Sequence, residues 1–322
     1  MEYPLSVIIP VFQAERYLDR CLRSVVSQTY KEISIIIIND GSTDNSETIC
    51  NRWAALDSRI RVITQEKRGL SAARNRGIEE STSPYITFVD ADDEIEPNTY
   101  ATNMQVLLQM EHIDLLEFPV NIHYGSKRGQ ILNFKEKIIE KNILEEWIAM
   151  RGYTHCYAWN KIYKRALFDS VRFPVGESFE DAAIMPLLVE RAAAVYISGE
   201  GCYLYYANNS GITRDYSFTT QEPLFRHNCN LLDRATSSGW HHLAPMLWIT
   251  TLNLLVDLHR CSDSYRDKRY LTAARAYISA HTPPLYQPSS CQIKFRDRVK
   301  IAAVKLVGVT IYIRVLTIGR RL

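Results

Sequence analysis

The sequence predicts an α/β fold: a mostly parallel, doubly wound central sheet with flanking helices, followed by a C-terminal helical region. Four short apolar runs rich in β-branched residues lie between Leu5 and Val89, the pattern of strands buried on both faces. Helical periodicity fills the gaps between them, which calls for right-handed parallel crossovers. The last third shows helical patterning almost throughout.

Taken in order, Leu5–Ile9 reads as the first strand, and Glu15–Gln28 as a helix whose Leu18, Cys21, Leu22, Val25 and Val26 recur at three and four residues. Ile33–Ile38 is the second strand. Asn39 to Thr43 is turn chemistry, and Asp44 with Glu47 predicts a capping box opening a helix through Leu56. Strand Ile60–Thr64, helix Leu70–Glu80 and strand Tyr85–Val89 repeat the unit. Beyond it the pattern predicts a helix over Pro97–Met110, a strand over Ile113–Phe118, loops and hairpin pieces over 121–137, and a helix over Ile143–Arg151. Further helices are expected at Asp181–Arg191, Pro223–Ser237, His242–Cys261 and Tyr265–His281, and a Pro-rich linker from Thr282 to Pro288. The expected division is 1–215 for the α/β domain, 216–288 for a helical subdomain on the acceptor side, and 289–322 for a basic, apolar tail.

Composition narrows the function. With 38 Lys+Arg against 36 Asp+Glu in 322 residues, the formal charge is only +2, which excludes a general nucleic-acid binder. A hydrophobic share of 46% and a charged share of 23% exclude a disordered chain. Seven scattered cysteines, with no C-x-x-C pair, argue against a zinc ribbon or disulfide scaffold and for a reducing cytoplasm. The opening MEYPLSVIIPVF has no basic start and carries Pro10 inside a very short apolar run, so no secretory signal is expected. Val299–Leu322 is apolar but interrupted by Lys300, Lys305 and Arg314, so no spanning helix is expected either. There is no G-x-G-x-x-G after the first strand and no G-x-x-x-x-G-K-[ST], which removes the main support for dinucleotide and P-loop readings.

In such sheets ligands collect beyond the carboxyl ends of the strands. The loops there are Pro10-Val11-Phe12, Asn39-Asp40-Gly41-Ser42, Gln65 to Gly69, and Asp90-Ala91-Asp92-Asp93. Carboxylates so close repel one another, and a divalent cation, Mg²⁺ or Mn²⁺ given the all-oxygen ligands, is the usual way to hold them; the alternative is a solvated acidic turn capping the helix at Pro97. Asp40 can accept from a base N–H or close an Asx turn. Arg74 and Asn75 can reach a phosphate or sugar, or face solvent. Glu180 and Asp181 open a helix, where the dipole alone favours carboxylates, or one of them takes a proton from an attacking hydroxyl. Trp159-Asn160-Lys161 offers a sugar-stacking aromatic with polar neighbours, or a core Trp on a short strand.

Taken together, Ser6-Val7-Ile8-Ile9-Pro10-Val11-Phe12, Ile38 to Asp44, Gly69 to Gly77 and Phe88 to Asp93 resemble the motifs of the inverting family 2 glycosyltransferases of the GT-A fold, bacterial enzymes that use nucleotide sugars. The resemblance continues through Ala158 to Tyr163 and Phe179-Glu180-Asp181, then fades beyond about residue 215. It implies that Pro10, Val11 and Phe12 line the nucleotide, that Asp40 reads the uracil, that Asp90 lies near the ribose with Ala91 in the same donor-binding segment, and that Asp92 binds the metal. Asp181 is then the catalytic base, with Glu180 as the alternative. The loop Asn208 to Thr213 falls where the family has a lid near the diphosphate, but Gly211 interrupts the match and the usual arginine is missing. The implied activity is inverting, metal-dependent transfer of a hexosyl or N-acetylhexosaminyl group from a UDP-sugar to a hydroxyl of a glycan or lipid-linked acceptor in surface polysaccharide biosynthesis. A nucleotide-sugar-binding module without turnover is the competing reading. A Mg²⁺-dependent phosphotransferase of the haloacid dehalogenase type is a weaker match, since its D-x-D follows the first strand rather than the fourth. The tail from Lys294, with basic residues among Ile, Val and Leu, suits a helix at the inner membrane surface or one packed on the helical subdomain.

Overall fold

The computed structural model describes residues 4–206, 216–262, 264–284 and 293–318. The chain forms two compact units, Met1–Asn209 and Ser210–Leu322.

In the first unit, β1 (Leu5–Val11), β2 (Ile33–Asp40), β3 (Ile60–Gln65) and β4 (Tyr85–Phe88) are parallel in the order β3-β2-β1-β4. They alternate with α1 (Leu18–Val26), α2 (Ser46–Leu56) and α3 (Leu70–Glu80), as the sequence predicts. All seven residues of β1 are buried, the reason its sequence is apolar without alternation. At Gly77 of α3 an added Cβ would lie 2.3 Å from Ile8 Cγ2, so only glycine lets the helix approach β1 this closely.

Beyond β4 the sheet becomes mixed. β10 (Lys161–Lys164) runs antiparallel to β4 and to β6 (Leu115–Glu117); β11 (Val195–Ile197) is parallel to β6, and β9 (Lys137–Ile139) closes the edge. A second sheet has the order β5 (Glu94–Ile95), β12 (Tyr203–Tyr206), β7 (Val120–Tyr124), β8 (Gln130–Leu132). The helices α4 (Thr99–Gln109), α5 (Ile143–Ala149) and α6 (Glu180–Arg191) complete the unit.

Three local expectations are corrected. Pro10 and Val11 belong to β1 rather than to a loop, because the β1–β2 ladder runs on to Val11↔Asn39. Pro10 is tolerated there because β4 pairs with β1 only as far as Ile8↔Phe88, so no ladder partner awaits the missing N–H. Asp40 likewise ends β2, paired with Gln65, instead of standing in a turn. The capping box does not form: Asp44 accepts from the Ser46 and Glu15 amides at 3.0 and 3.1 Å, while Glu47 accepts from Thr64 Oγ1 at 3.2 Å.

The second unit contains α7 (Phe218–Ser237), α8 (Ala244–Arg260), α9 (Tyr265–Ala280) and α10 (Phe295–Ile318). α7 starts before the expected Pro223 because Ser217 caps it, its side chain accepting from the Thr220 amide at 3.3 Å. Trp248 anchors α8 to α9, donating Nε1–H to the Ile278 carbonyl at 2.9 Å. α10 takes up the basic tail, buries Ile301, Val304, Val309 and Ile313, and is kinked at Gly308 (φ 77°, ψ 156°). Among the described residues no helix is long and apolar enough to cross a membrane. Asn208 to Thr213 and residues 285–288 of the expected linker lie outside the described residues.

Candidate active site

Several of the expected site residues gather where β1, β2 and β4 end. Phe12, just past β1, is 42% exposed, with Lys67 Nζ 4.0 Å from its ring centroid. Asp40, only 3% exposed, accepts from Gln65 Nε2 at 2.7 Å, the Arg68 amide at 2.9 Å and the Gly69 amide at 2.7 Å. Its carboxylate therefore shapes the loop that leads into α3, and one of its roughly four acceptor positions is left over. Gly69 starts that helix with φ 91°, a conformation that favours glycine.

One turn before Gly77, α3 points Arg74 inward. The side chain is 2% exposed, so the solvent-facing default fails, and its guanidinium joins two carboxylates distant in sequence: Nη2 donates to Asp90 Oδ1 at 2.9 Å, and Nη1 to Glu180 Oε1 at 2.5 Å. Burial works against the charge, but Asp90 and Glu180 more than compensate and keep the guanidinium protonated. Phe173 lies alongside, its ring centroid 5.3 Å from Arg74 Cζ. Arg74 thus ties the end of β4 to the start of α6.

Phe179 precedes Glu180 in the left-handed region (φ 56°, ψ 41°). A strained turn of this kind costs about 1 kcal/mol or more in a non-glycine residue; here it swings the first turn of α6 toward the sheet. Asp181 is half-buried, and its Oδ1 accepts from the Ala182 amide at 2.8 Å. Burial and the Glu180 charge push its carboxyl up to about 7, against the pull of Arg74 and Lys161. A carboxyl poised near neutrality can accept a proton from a hydroxyl and still exist as the anion at physiological pH.

The acidic segment after β4 divides by environment. Asp90 is 25% exposed, Ala91 is 8% exposed, and Asp92 is partly exposed. Asp93 is fully buried, accepting from Tyr203 Oη at 3.0 Å and the Tyr206 amide at 2.9 Å. Burial, with the Asp92 and Asp90 charges, pushes its carboxyl well above the usual range. Asp93 is therefore a structural anchor, which leaves Asp90 and Asp92 on the open side. Among the described residues no group of three or more His, Cys, Asp and Glu is arranged to hold a metal by itself. One or two carboxylates nevertheless suit Mg²⁺ or Mn²⁺, which take much of their coordination from water and phosphate oxygens.

Three further expected site residues point elsewhere. The Asn75 amide is spent on both backbone groups of Phe173, at 2.8 and 2.9 Å. Trp159 is 5% exposed and stacked between aromatic neighbours, with Tyr203 at 4.1 Å and Tyr157 at 4.5 Å. Asn160 is fully buried, donating to the Phe118 carbonyl at 2.9 Å. Trp159 precedes β10 rather than lying on a strand, and the polar groups of Asn160 and Lys161 serve a buried cluster. Lys161 Nζ lies 3.2 Å from Glu117 Oε1 and donates to the His155 and Tyr157 carbonyls at 3.2 and 2.9 Å. Burial works to raise the Glu117 carboxyl, yet the Lys161 and His155 charges hold it down at about 2.

Sequence reasoning missed the brackets around the acidic segment. Tyr203 Oη also accepts from the Asp90 amide at 3.0 Å, and Tyr206 donates its hydroxyl to Glu94 at 2.5 Å. From α1, Arg20 donates to the Asp92 carbonyl at 2.6 Å, lies 3.0 Å from Glu94 Oε1 and stacks 3.6 Å above the Tyr206 ring. The tyrosine-rich run Cys202-Tyr203-Leu204-Tyr205-Tyr206 was the available signal.

The model of the family described as Glycosyl transferase family 2 matches residues 6–172. Glycosyltransferase GlyA of Streptococcus pneumoniae serotype 4 is 33% identical over 222 residues, 65% of this chain and 31% of the relative. The uncharacterized glycosyltransferase YibD of Escherichia coli K12 is 32% identical over 219 residues, 65% of this chain and 63% of the relative. The chain thus spans less than two thirds of the length of either. In fold it is similar to residues 1–349 of TarS from S. aureus, solved in complex with UDP-GlcNAc, with a TM-score of 0.74 at 17% identity over 100% of this chain and 92% of that one. That likeness is one of fold, and it takes in the C-terminal helices as well as the α/β unit.

Proposed function

The chain belongs to glycosyl transferase family 2, and on that premise we propose that it transfers a hexosyl or N-acetylhexosaminyl group, with inversion, from a UDP-sugar to a hydroxyl of a glycan or lipid-linked acceptor in surface polysaccharide biosynthesis. The observation that carries this reading is the Arg74 bridge, which joins Asp90 on the donor side to Glu180 and so brings Asp181 to the same site. UDP is favoured as the carrier because the structurally similar TarS was solved with UDP-GlcNAc.

In this mechanism Pro10, Val11 and Phe12 line the nucleotide, and Asp40 offers its remaining acceptor position to a base N–H. Asp90 and Ala91 meet the ribose. Mn²⁺ or Mg²⁺ held through Asp92 would offset the charge of the departing diphosphate. Asp181 takes the proton of the acceptor hydroxyl as its oxygen attacks the anomeric carbon, and the C–O bond to the nucleoside diphosphate breaks on the opposite face. One in-line displacement inverts the centre. Glu180, paired with Arg74, raises the basicity of Asp181 by like-charge repulsion. Asn75, Trp159 and Asn160 act one step back from substrate: Asn75 fixes Phe173 beside Arg74, and the other two support the wall that displays Tyr157. Residues 216–288 serve the acceptor side, and the tail brings the protein to the inner membrane face.

Calorimetry with UDP and a UDP-sugar in the presence of Mn²⁺ tests the assignment. Asp92→Ala is expected to weaken donor binding at least tenfold, whereas Asp181→Asn keeps donor affinity and loses turnover. Equal donor binding by Asp92→Ala would remove Asp92 from the site, and turnover by Asp181→Asn would remove Asp181 as the base.

A further inference from the structure

α10 carries a surface that the transfer chemistry does not use. Its inner face buries Asp297, Ile301 and Val304 at 7%, 2% and 3% exposure. On the outer face Phe295, Val299, Ala302 and Leu306 follow at intervals of four, three and four residues, which makes one line along a helix. Phe295 is 82% exposed, Val299 50% and Leu306 86%. Past the Gly308 kink, Ile311 and Val315 repeat the motif at 52% and 65%. Such a run of large apolar side chains in water is unfavourable unless something covers it.

The charges indicate what covers it. By helical periodicity Arg298 and Lys305 border the line on one side and Arg296 on the other, while Arg314 sits beside Val315. Lys294, Arg298, Lys305 and Arg314 make no ion pair or side-chain hydrogen bond among the described residues. Between residues 294 and 318 the only acidic residue is Asp297, which faces inward. Apolar side chains bordered on one side by the unpaired Arg298 and Lys305, and on the other by Arg296, whose side chain is 75% exposed although it lies 3.9 Å from Asp297, match the boundary of an anionic bilayer: the chains enter the acyl region and the cations meet headgroup phosphates.

We infer that the exposed face of α10 is a docking surface for anionic membrane lipid, its Phe295–Leu306 line inserted and its arginines and lysines on the headgroups. The inference deepens the proposed placement of the tail at the membrane and rests on that placement, not on the identity of the donor. It also gives a helix that does not span the bilayer a means to hold the enzyme where a lipid-linked acceptor is found.

Vesicle sedimentation of the full chain tests it, with phosphatidylcholine alone and with phosphatidylglycerol mixed in, at about 0.1 M and about 1 M salt, where screening differs severalfold. Binding is expected only to the phosphatidylglycerol vesicles and is expected to weaken at the higher salt. The pair Phe295→Ser and Leu306→Ser, both highly exposed, should reduce that binding by about tenfold or more while leaving the circular dichroism and Tm unchanged. No binding to phosphatidylglycerol vesicles, or equal binding by the substituted chain, overturns the inference. So does a dimer that the same pair dissociates in a chain that ignores vesicles, since the stripe then belongs to a second copy. Vesicle binding is read without donor, so its failure leaves the transferase reading standing, and failure of donor turnover leaves this one.

Discussion

Asp181 links burial to chemistry. Its carboxyl, raised to about 7 by burial and Glu180, must be ionised to accept a proton. The expected pH profile of kcat/KM therefore rises through about 7, falling about tenfold per unit below it; a flat profile between pH 5 and 8 would exclude Asp181 as the base. The same shift carries a stability consequence. A carboxyl whose folded pKa exceeds its unfolded value of 3.8 gives the folded state an extra proton between the two, so stability falls as pH rises across that window. Asp181→Asn should accordingly raise the urea midpoint at pH 8 and do little at pH 4. Tyr203 makes a second residue-scale case, because one hydroxyl donates to Asp93 and accepts from the Asp90 amide. Tyr203→Phe keeps the stack on Trp159 and removes both bonds, at a cost of about 1–3 kcal/mol. It should also raise the metal concentration needed for half-maximal turnover, an effect that loss of stability alone does not produce. At this scale the sequence marked Asp90, Asp92 and Asp93 as one acidic group, and nothing in the letters distinguishes the buried anchor from its neighbours. The tyrosines that distinguish them arrive from β12, more than a hundred residues later.

At the level of elements, legibility followed length and local content. β1, β2 and α3 were readable because six or more residues share one environment, and the helix bounds Leu70–Glu80 agree with expectation. β10, β11 and β12 have three or four residues each, with polar or aromatic side chains, and exist because neighbours already in place complete their ladders. Arg74 was legible as a candidate but not as a bridge, since its partners lie 16 and 106 residues away. The seating of α3 on β1 gives a prediction opposed to intrinsic propensity. Alanine is favoured over glycine within a helix by about 1 kcal/mol, yet at Gly77 its Cβ would lie 2.3 Å from Ile8 Cγ2. Gly77→Ala should therefore destabilise the protein, by about 1–3 kcal/mol of overpacking, and weaken donor binding by displacing Arg74. Higher stability on chemical denaturation would contradict that seating.

For the molecule as a whole, each unit contributes something different. The first supplies a rigid sheet whose strand ends collect Phe12, Asp40, Asp90 and Asp92 on one rim, and its antiparallel extension provides Glu117 and Lys161 as a buried footing for the wall beside them. The second is helical and carries the amphipathic face of α10. The sequence disclosed the fold class and the family motifs because both are local patterns. It disclosed less of the second unit, where helices pack by shape and no motif recurs. Under the proposed function Asp181, beside the Arg74-bridged Asp90 and Glu180, is the base of glycosyl transfer. The most direct test of that proposal is nucleoside diphosphate release from UDP-, GDP- and dTDP-sugars with Mn²⁺, Mg²⁺ or EDTA, comparing the native chain with Asp181→Asn in the presence of a membrane-lipid extract as acceptor source. Release is expected from a UDP-sugar, with the metal required, and is expected to fall by about a hundredfold or more in Asp181→Asn. Release that Asp181→Asn leaves unchanged, or none from any donor despite tight donor binding, would contradict the proposal.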